Sequence, residues 1–121
     1  MTKKVLLVED FPIIQSLYSG ALENHGFEVD VVADGKDALV KVQAQVYDFV
    51  LIDLLLPKIN GLEFLEKFTN RPQQTKVIVL SDFNEPKTVE KAYKLGIAAY
   101  LIKAENTPSE LIEKLNKLAK A

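Results

Sequence analysis

The sequence predicts an α/β fold of the doubly wound kind, with helices on both faces of a five-stranded parallel sheet. Three observations carry this expectation. Three short runs are apolar from end to end, stretches with helical spacing separate them, and glycine or proline marks several of the changes from one element to the next. A strand that is apolar throughout, rather than at alternate positions, is one covered on both sides.

The three runs are Val5-Leu6-Leu7-Val8, Phe49-Val50-Leu51-Ile52 and Val77-Ile78-Val79-Leu80. Two weaker candidates, residues 29–33 and 98–102, complete a set of five. Between them, Ile14, Leu17, Ala21 and Leu22 fall on one helical face. So do Ala38, Leu39 and Val42, and then Leu62, Leu65 and Phe68. Pro86 suits the start of a fourth helix. The fifth has the clearest start: Thr107 can cap it, Pro108 suits the first turn, and Glu110 completes a capping box ahead of Leu111, Ile112, Leu115 and Leu118. Gly26 and Gly96 suit left-handed helix ends, and residues 69–75 read as a loop. Strand–helix repeated five times, with right-handed crossovers, is expected to form one domain across residues 1–121.

Composition narrows the chemistry. The chain has 121 residues, 48% hydrophobic and 26% charged, as in an ordinary globular domain with one core. No cysteine is present, which excludes disulfides and cysteine-ligated zinc. His25 is the single histidine and reads as part of a solvated helix end. No apolar run reaches the roughly 18 residues that span a bilayer, and Met1-Thr2-Lys3-Lys4 leads into too short a run for a signal peptide. A net charge of −2 with dispersed lysines argues against direct nucleic-acid binding. The expectation is a cytoplasmic domain with no membrane partner.

The informative residues interrupt the apolar pattern. Glu9 and Asp10 end the first strand, and Asp53 ends the third. In open α/β sheets the ligand crevice lies beyond the carboxyl ends of the strands, where strand order reverses. If strands one and three are neighbours, as in the flavodoxin-like order, the three acids meet there. Two unit charges about 5 Å apart at an effective dielectric near 20 repel by about 3 kcal/mol, so a raised pKa, a basic partner or a cation must offset them. Oxygen ligands without histidine or cysteine favour magnesium. Ser81 and Lys103, at the ends of the fourth and fifth strands, suit phosphoryl oxygens. Singly, each has a plainer reading: Asp10, Ser81 and Asn60 as helix caps, Lys103 as a solvated strand end. Pro57 and Gly61 read as a turn after Asp53, with Gly61 free to take a positive φ.

Glu9-Asp10, Asp53 with Pro57 and Gly61, Ser81, Tyr100 and Lys103, in that order, resemble the response-regulator receiver family. The resemblance runs from Lys4 to the last helix. It implies a flavodoxin-like (βα)5 fold with strand order 2-1-3-4-5. By the same resemblance Asp53 is the phosphoacceptor, Asp10 and Asp53 are direct Mg2+ ligands, Glu9 acts through water, and the Leu55 carbonyl completes the protein's share. Lys103 pairs with the phosphoryl group, Ser81 moves to it, and Tyr100 switches inward, reshaping the face made by the fourth helix, fifth strand and fifth helix. The implied partners are a sensor histidine kinase or phosphotransfer protein and a downstream effector protein or fused output domain; a phosphorylation-dependent homodimer is also allowed. Such a domain is not a conventional enzyme, although it catalyses its own phosphorylation and dephosphorylation. No output segment follows Ala121 in this sequence, so a standalone receiver or one cut from a longer protein is expected.

Four positions depart from the family pattern. Ala104 follows Lys103 where a cis proline is usual, so the lysine loop is expected to be trans or strained. Asp82 follows Ser81 where a small residue is usual and would repel a phosphoryl group unless strand alternation turns it away. Leu55 and Phe83 are apolar where the attacking water passes, which predicts slow self-dephosphorylation. Leu56 in place of methionine is a volume-conserving change. The alternative function is a receiver-like interaction module that never takes phosphate. A flavin binder would need a Ser/Thr/Gly-rich loop where Glu9-Asp10-Phe11-Pro12 stands, and an aspartate-based phosphatase would need an acid at Leu55.

Overall fold

The computed structural model describes residues 2–120; Met1 and Ala121 lie outside the described residues. Five strands, β1 (Lys4–Val8), β2 (Glu28–Val32), β3 (Phe49–Ile52), β4 (Lys76–Leu80) and β5 (Ala99–Leu101), form one parallel sheet in the order β2-β1-β3-β4-β5. The helices are α1 (Pro12–Asn24), α2 (Gly35–Ala44), α3 (Gly61–Lys67), α4 (Pro86–Lys94) and α5 (Pro108–Lys120). A short 3-10 turn, Lys103–Glu105, follows β5.

The end-to-end apolar strands have the predicted cause. Leu6, Val8, Val50, Ile52, Val77 and Val79 join a core that includes Ala38 of α2, Phe64 and Leu65 of α3 and Ala92 of α4. The alternate residues Val5, Leu7, Phe49, Leu51, Ile78 and Leu80 join a second core with Tyr18 and Leu22 of α1 and Leu111, Ile112 and Leu115 of α5. Each strand residue therefore finds an apolar neighbour whichever face it points to.

Local signals mostly act as read. Pro12, Pro86 and Pro108 open their helices. Thr107 and Glu110 form the reciprocal capping box: the Glu110 N–H donates to Thr107 Oγ1 at 3.2 Å and the Thr107 N–H to Glu110 Oε1 at 2.9 Å. Gly26 and Gly96 have φ of +89° and +91° as the helices before them end. The edge strands differ from expectation: β2 begins one residue earlier, at Glu28, and β5 is shorter, at Ala99–Leu101. Gly61 does not take the positive φ expected of it. That conformation falls on Lys58, at +64°. Gly61 instead serves close approach, since a Cβ there would stand 2.4 Å from the Asp53 carbonyl oxygen.

Candidate functional site

β1 lies between β2 and β3, so the strand order reverses at β1, and the crevice opens at the carboxyl ends of β1 and β3. Glu9 and Asp53 are the residues that leave these two strands, and both are buried. Ser81 leaves β4 fully buried, and Lys103 opens the turn after β5.

The Asp53 carboxylate is satisfied on both oxygens. Oδ1 accepts from the Ser81 hydroxyl at 2.7 Å and from the Leu55 N–H at 3.0 Å. Oδ2 accepts from the Lys103 ammonium at 2.6 Å. The same ammonium donates to Glu9 Oε1, while Glu9 Oε2 accepts from the Phe11 N–H at 3.1 Å. Burial alone would push the Lys103 ammonium down, but its hydrogen bonds to Asp53 and Glu9 outweigh that and hold its pKa above the usual lysine value. The basic partner is thus how the structure offsets the repulsion between Glu9 and Asp53.

Asp10 stands apart from this network. Its Oδ1 is buried with no hydrogen-bond partner, the only such side-chain atom among the described residues. It does not cap α1, whose capping position is Phe11. Among the described residues no three acidic or histidine side chains converge closely enough to hold a metal ion, and Lys103 stands between Glu9 and Asp53. The donor set still suits a hard divalent cation: carboxylate oxygens at the end of the sheet, one of them orphaned and buried, a deficit that a cation would remove. Leu55 touches the site through its N–H.

The loop after Asp53 is tightly packed. A Cβ on Gly35 would lie 2.0 Å from the Ile59 carbonyl oxygen, and Lys58 Nζ pairs with the buried Asp34 at 3.4 Å. Asn60 caps α3 by accepting from the Glu63 N–H at 2.9 Å, so the plainer reading of that residue holds. A groove of about 280 Å³ beside Asp53 is lined by Leu54, Leu55, Asn60, Leu62, Phe83 and Thr88. Leu55 is 61% exposed on it.

Tyr100 is linked to the site indirectly. Its hydroxyl donates to the Phe83 carbonyl, and the Phe83 N–H donates to Ser81 Oγ at 3.2 Å. Tyr100 is half-buried against the α2–α3–α4 core, and burial, helped by the charge of Asp53, raises its pKa. Its own N–H donates to the Tyr93 hydroxyl at 3.1 Å.

Two of the departures resolve in the geometry. Asp82 points outward, its Oδ1 accepting from the Ala104 N–H at 2.8 Å, and the Lys103–Ala104 bond is trans. One contributor had no signal in the sequence: Gln15 Nε2 donates to the Glu9 carbonyl at 2.6 Å from one turn into α1.

The sequence model of the response regulator receiver domain matches residues 5–116. A gliding motility regulatory protein of Myxococcus xanthus is 32% identical over 117 residues, covering 95% of this chain and 15% of that protein. The chemotaxis protein CheY of Thermotoga maritima is 29% identical over 121 residues, covering 99% of this chain and 100% of that protein. The chain spans less than a third of the length of several curated relatives it matches. A CheY-like receiver domain structure from Methanospirillum hungatei superposes with a TM-score of 0.93 at 27% identity, covering 99% of this chain and 95% of the other. With sequence model and fold agreeing over nearly its whole length, the chain belongs to the response regulator receiver domain family of two-component systems, in which phosphorylation on an aspartate is typical.

Proposed function

We propose that Asp53 is the phosphoacceptor of this domain. The observation that carries the proposal is the buried Asp53 carboxylate held by an ammonium on one oxygen and a hydroxyl on the other. The same donors suit the oxygens of a phosphoryl group. An Asp53 oxygen attacks phosphorus; the new O–P bond forms as the bond to a histidine nitrogen, or to the acyl oxygen of a small donor, breaks. The leaving imidazole takes its proton from solvent, and an acyl group leaves as the carboxylate. Receiver domains generally depend on Mg2+ for this reaction. Here Asp10, Asp53 and the Leu55 carbonyl would hold the ion, with Glu9 acting through water; when bound it neutralises charge on the phosphoryl oxygens.

The modified aspartate carries about −1.5 to −2 charges. Lys103 follows that charge away from Glu9, and Ser81 turns its hydroxyl from the carboxylate to the phosphoryl group. Because Ser81 Oγ accepts from Phe83, and the Phe83 carbonyl accepts from Tyr100, movement of Ser81 reaches Tyr100 through two hydrogen bonds. Tyr100 then reshapes the α4–β5–α5 face. Receiver domains work with histidine kinases and output domains. The partners proposed here are a sensor histidine kinase or phosphotransfer protein upstream and an effector protein or output domain downstream. Among the described residues no helix is long and apolar enough to cross a membrane, and the cytoplasm is the proposed location.

The test is intact mass after incubation with Mg2+ and acetyl phosphate or phosphoramidate, beside an Asp53→Asn control. The expected result is one added phosphoryl group in the wild type and none in the control. No gain with Mg2+ shown to bind would place the block at Asp82 or the Lys103–Ala104 loop, whereas no gain and no Mg2+ binding would overturn the proposal in favour of a phosphate-independent interaction module.

A further inference from the structure

Ser81 and Asp82 leave β4 on opposite sides. Ser81 is fully buried against Asp53, whereas Asp82 is exposed and turns to the neighbouring turn, accepting from the Ala104 N–H at 2.8 Å. That turn carries Lys103, whose backbone N–H makes only a long bond, 3.3 Å, to the Ser81 carbonyl. Within the turn, the Glu105 N–H donates to the Ile102 carbonyl at 3.0 Å and the Asn106 N–H to the Lys103 carbonyl at 3.3 Å. The Asp82 carboxylate therefore supplies the shortest hydrogen bond between the end of β4 and this turn, one residue from the lysine that spans Glu9 and Asp53.

We propose that Asp82 is a positioning residue for Lys103: its carboxylate anchors the turn through Ala104 and so fixes where the ammonium stands. The proposal rests on the phosphoacceptor reading for its effect on rate, though not for its effect on geometry. Asp82 makes no contact with Asp53, and its charge would by itself slow an anionic donor. Two effects of opposite sign are thus combined in one side chain, and two variants separate them. Asp82→Asn loses the charge and keeps the accepting oxygen; Asp82→Ala loses both.

With Mg2+ and acetyl phosphate, Asp82→Ala is expected to gain the phosphoryl group about fivefold more slowly than Asp82→Asn, the size of one lost hydrogen bond. The hydrogen-exchange rate of the Ala104 amide should rise in Asp82→Ala alone, and the Lys103 side-chain resonance, read by NMR without any donor, should shift in that variant alone. Equal rates in the two variants would overturn the proposal, even if Ala104 exchange differed, since Asp82 would then hold the turn without serving Lys103. Should the wild type take no phosphoryl group, the phosphoacceptor reading falls. The Asp82 proposal is then decided by the Lys103 resonance: a shift confined to Asp82→Ala supports it, and no shift overturns it.

Discussion

Replacing Lys103 by Met tests whether the ammonium is what keeps Glu9 and Asp53 together. The lysine side chain is 13% exposed, and its two carboxylate partners are 2% and 9% exposed, so little solvent screens them. At the 2.6 Å separation from Asp53, and an effective dielectric near 20, the attraction is about 6 kcal/mol. Releasing the lysine from burial returns part of that, and breaking a buried pair from one side typically costs about 3–5 kcal/mol. In urea unfolding this should move the midpoint down by roughly 2 M at an ordinary slope. The Lys103 pKa is held above its ordinary value, so its contribution is complete below about pH 10.4 and is lost as pH rises through the folded-state value. The gap between wild type and variant should therefore be constant from pH 7 to 9 and close at higher pH. Mg2+ should restore more stability to the variant than to the wild type, about 1.4 kcal/mol at tenfold excess over its dissociation constant. A loss under about 1 kcal/mol, or a gap that stays open at alkaline pH, would refute the reasoning.

Two further outcomes follow from the loop after Asp53. Leu55 and Phe83 line an apolar groove beside the acid and offer no side-chain group to hold a water, so the phosphorylated protein should decay slowly. Leu55→Asn should shorten its lifetime about tenfold, and a wild-type half-life of only seconds would contradict this. Gly61→Ala would put a Cβ 2.4 Å from the Asp53 carbonyl oxygen and 2.6 Å from the Leu54 Cα, both backbone atoms. It should cost about 1–3 kcal/mol in thermal or urea unfolding and slow phosphoryl gain as Asp53 shifts; an unchanged melting curve would contradict the packing argument.

The central strands were legible because β1, β3 and β4 bury every residue after their first, so an apolar run and a two-sided strand are the same thing there. The edge strands β2 and β5 were read less well for the complementary reason. Each has one neighbour, and only Val32 in β2 and Leu101 in β5 are buried, so the pattern carries less of the strand. The acids and Ser81 were legible because they stand where the apolar runs stop. What the sequence could not carry was pairing at a distance. That Lys103 would bridge Glu9, 94 residues away, and that Asp82 would meet an N–H 22 residues on, depend on loops that only the assembled sheet brings together. The positive φ after Asp53 was assigned to Gly61 on residue preference. The packing of Ile59 against Gly35 and the pairing of Lys58 with Asp34 accompany its placement on Lys58 instead.

The charge count at the crevice links these observations. Glu9, Asp10 and Asp53 bring three carboxylates and Lys103 one ammonium, a formal excess of two negative charges, equal to what one divalent cation supplies. Lys103 answers Glu9 and Asp53 and leaves Asp10 Oδ1 without a partner. On the proposal that Asp53 accepts the phosphoryl group, a lysine held by both acids is a poor permanent arrangement, because the new charge on Asp53 would draw it away from Glu9. That release is favourable only if Glu9 and Asp10 gain another positive neighbour at the same time. Cation binding and modification of Asp53 should therefore each strengthen the other, as linkage requires. The Lys103→Met protein makes the point measurable: with the competing ammonium gone, Mg2+ should bind more tightly to the unmodified domain, and equal affinity in the two proteins would show that lysine and cation do not share these acids.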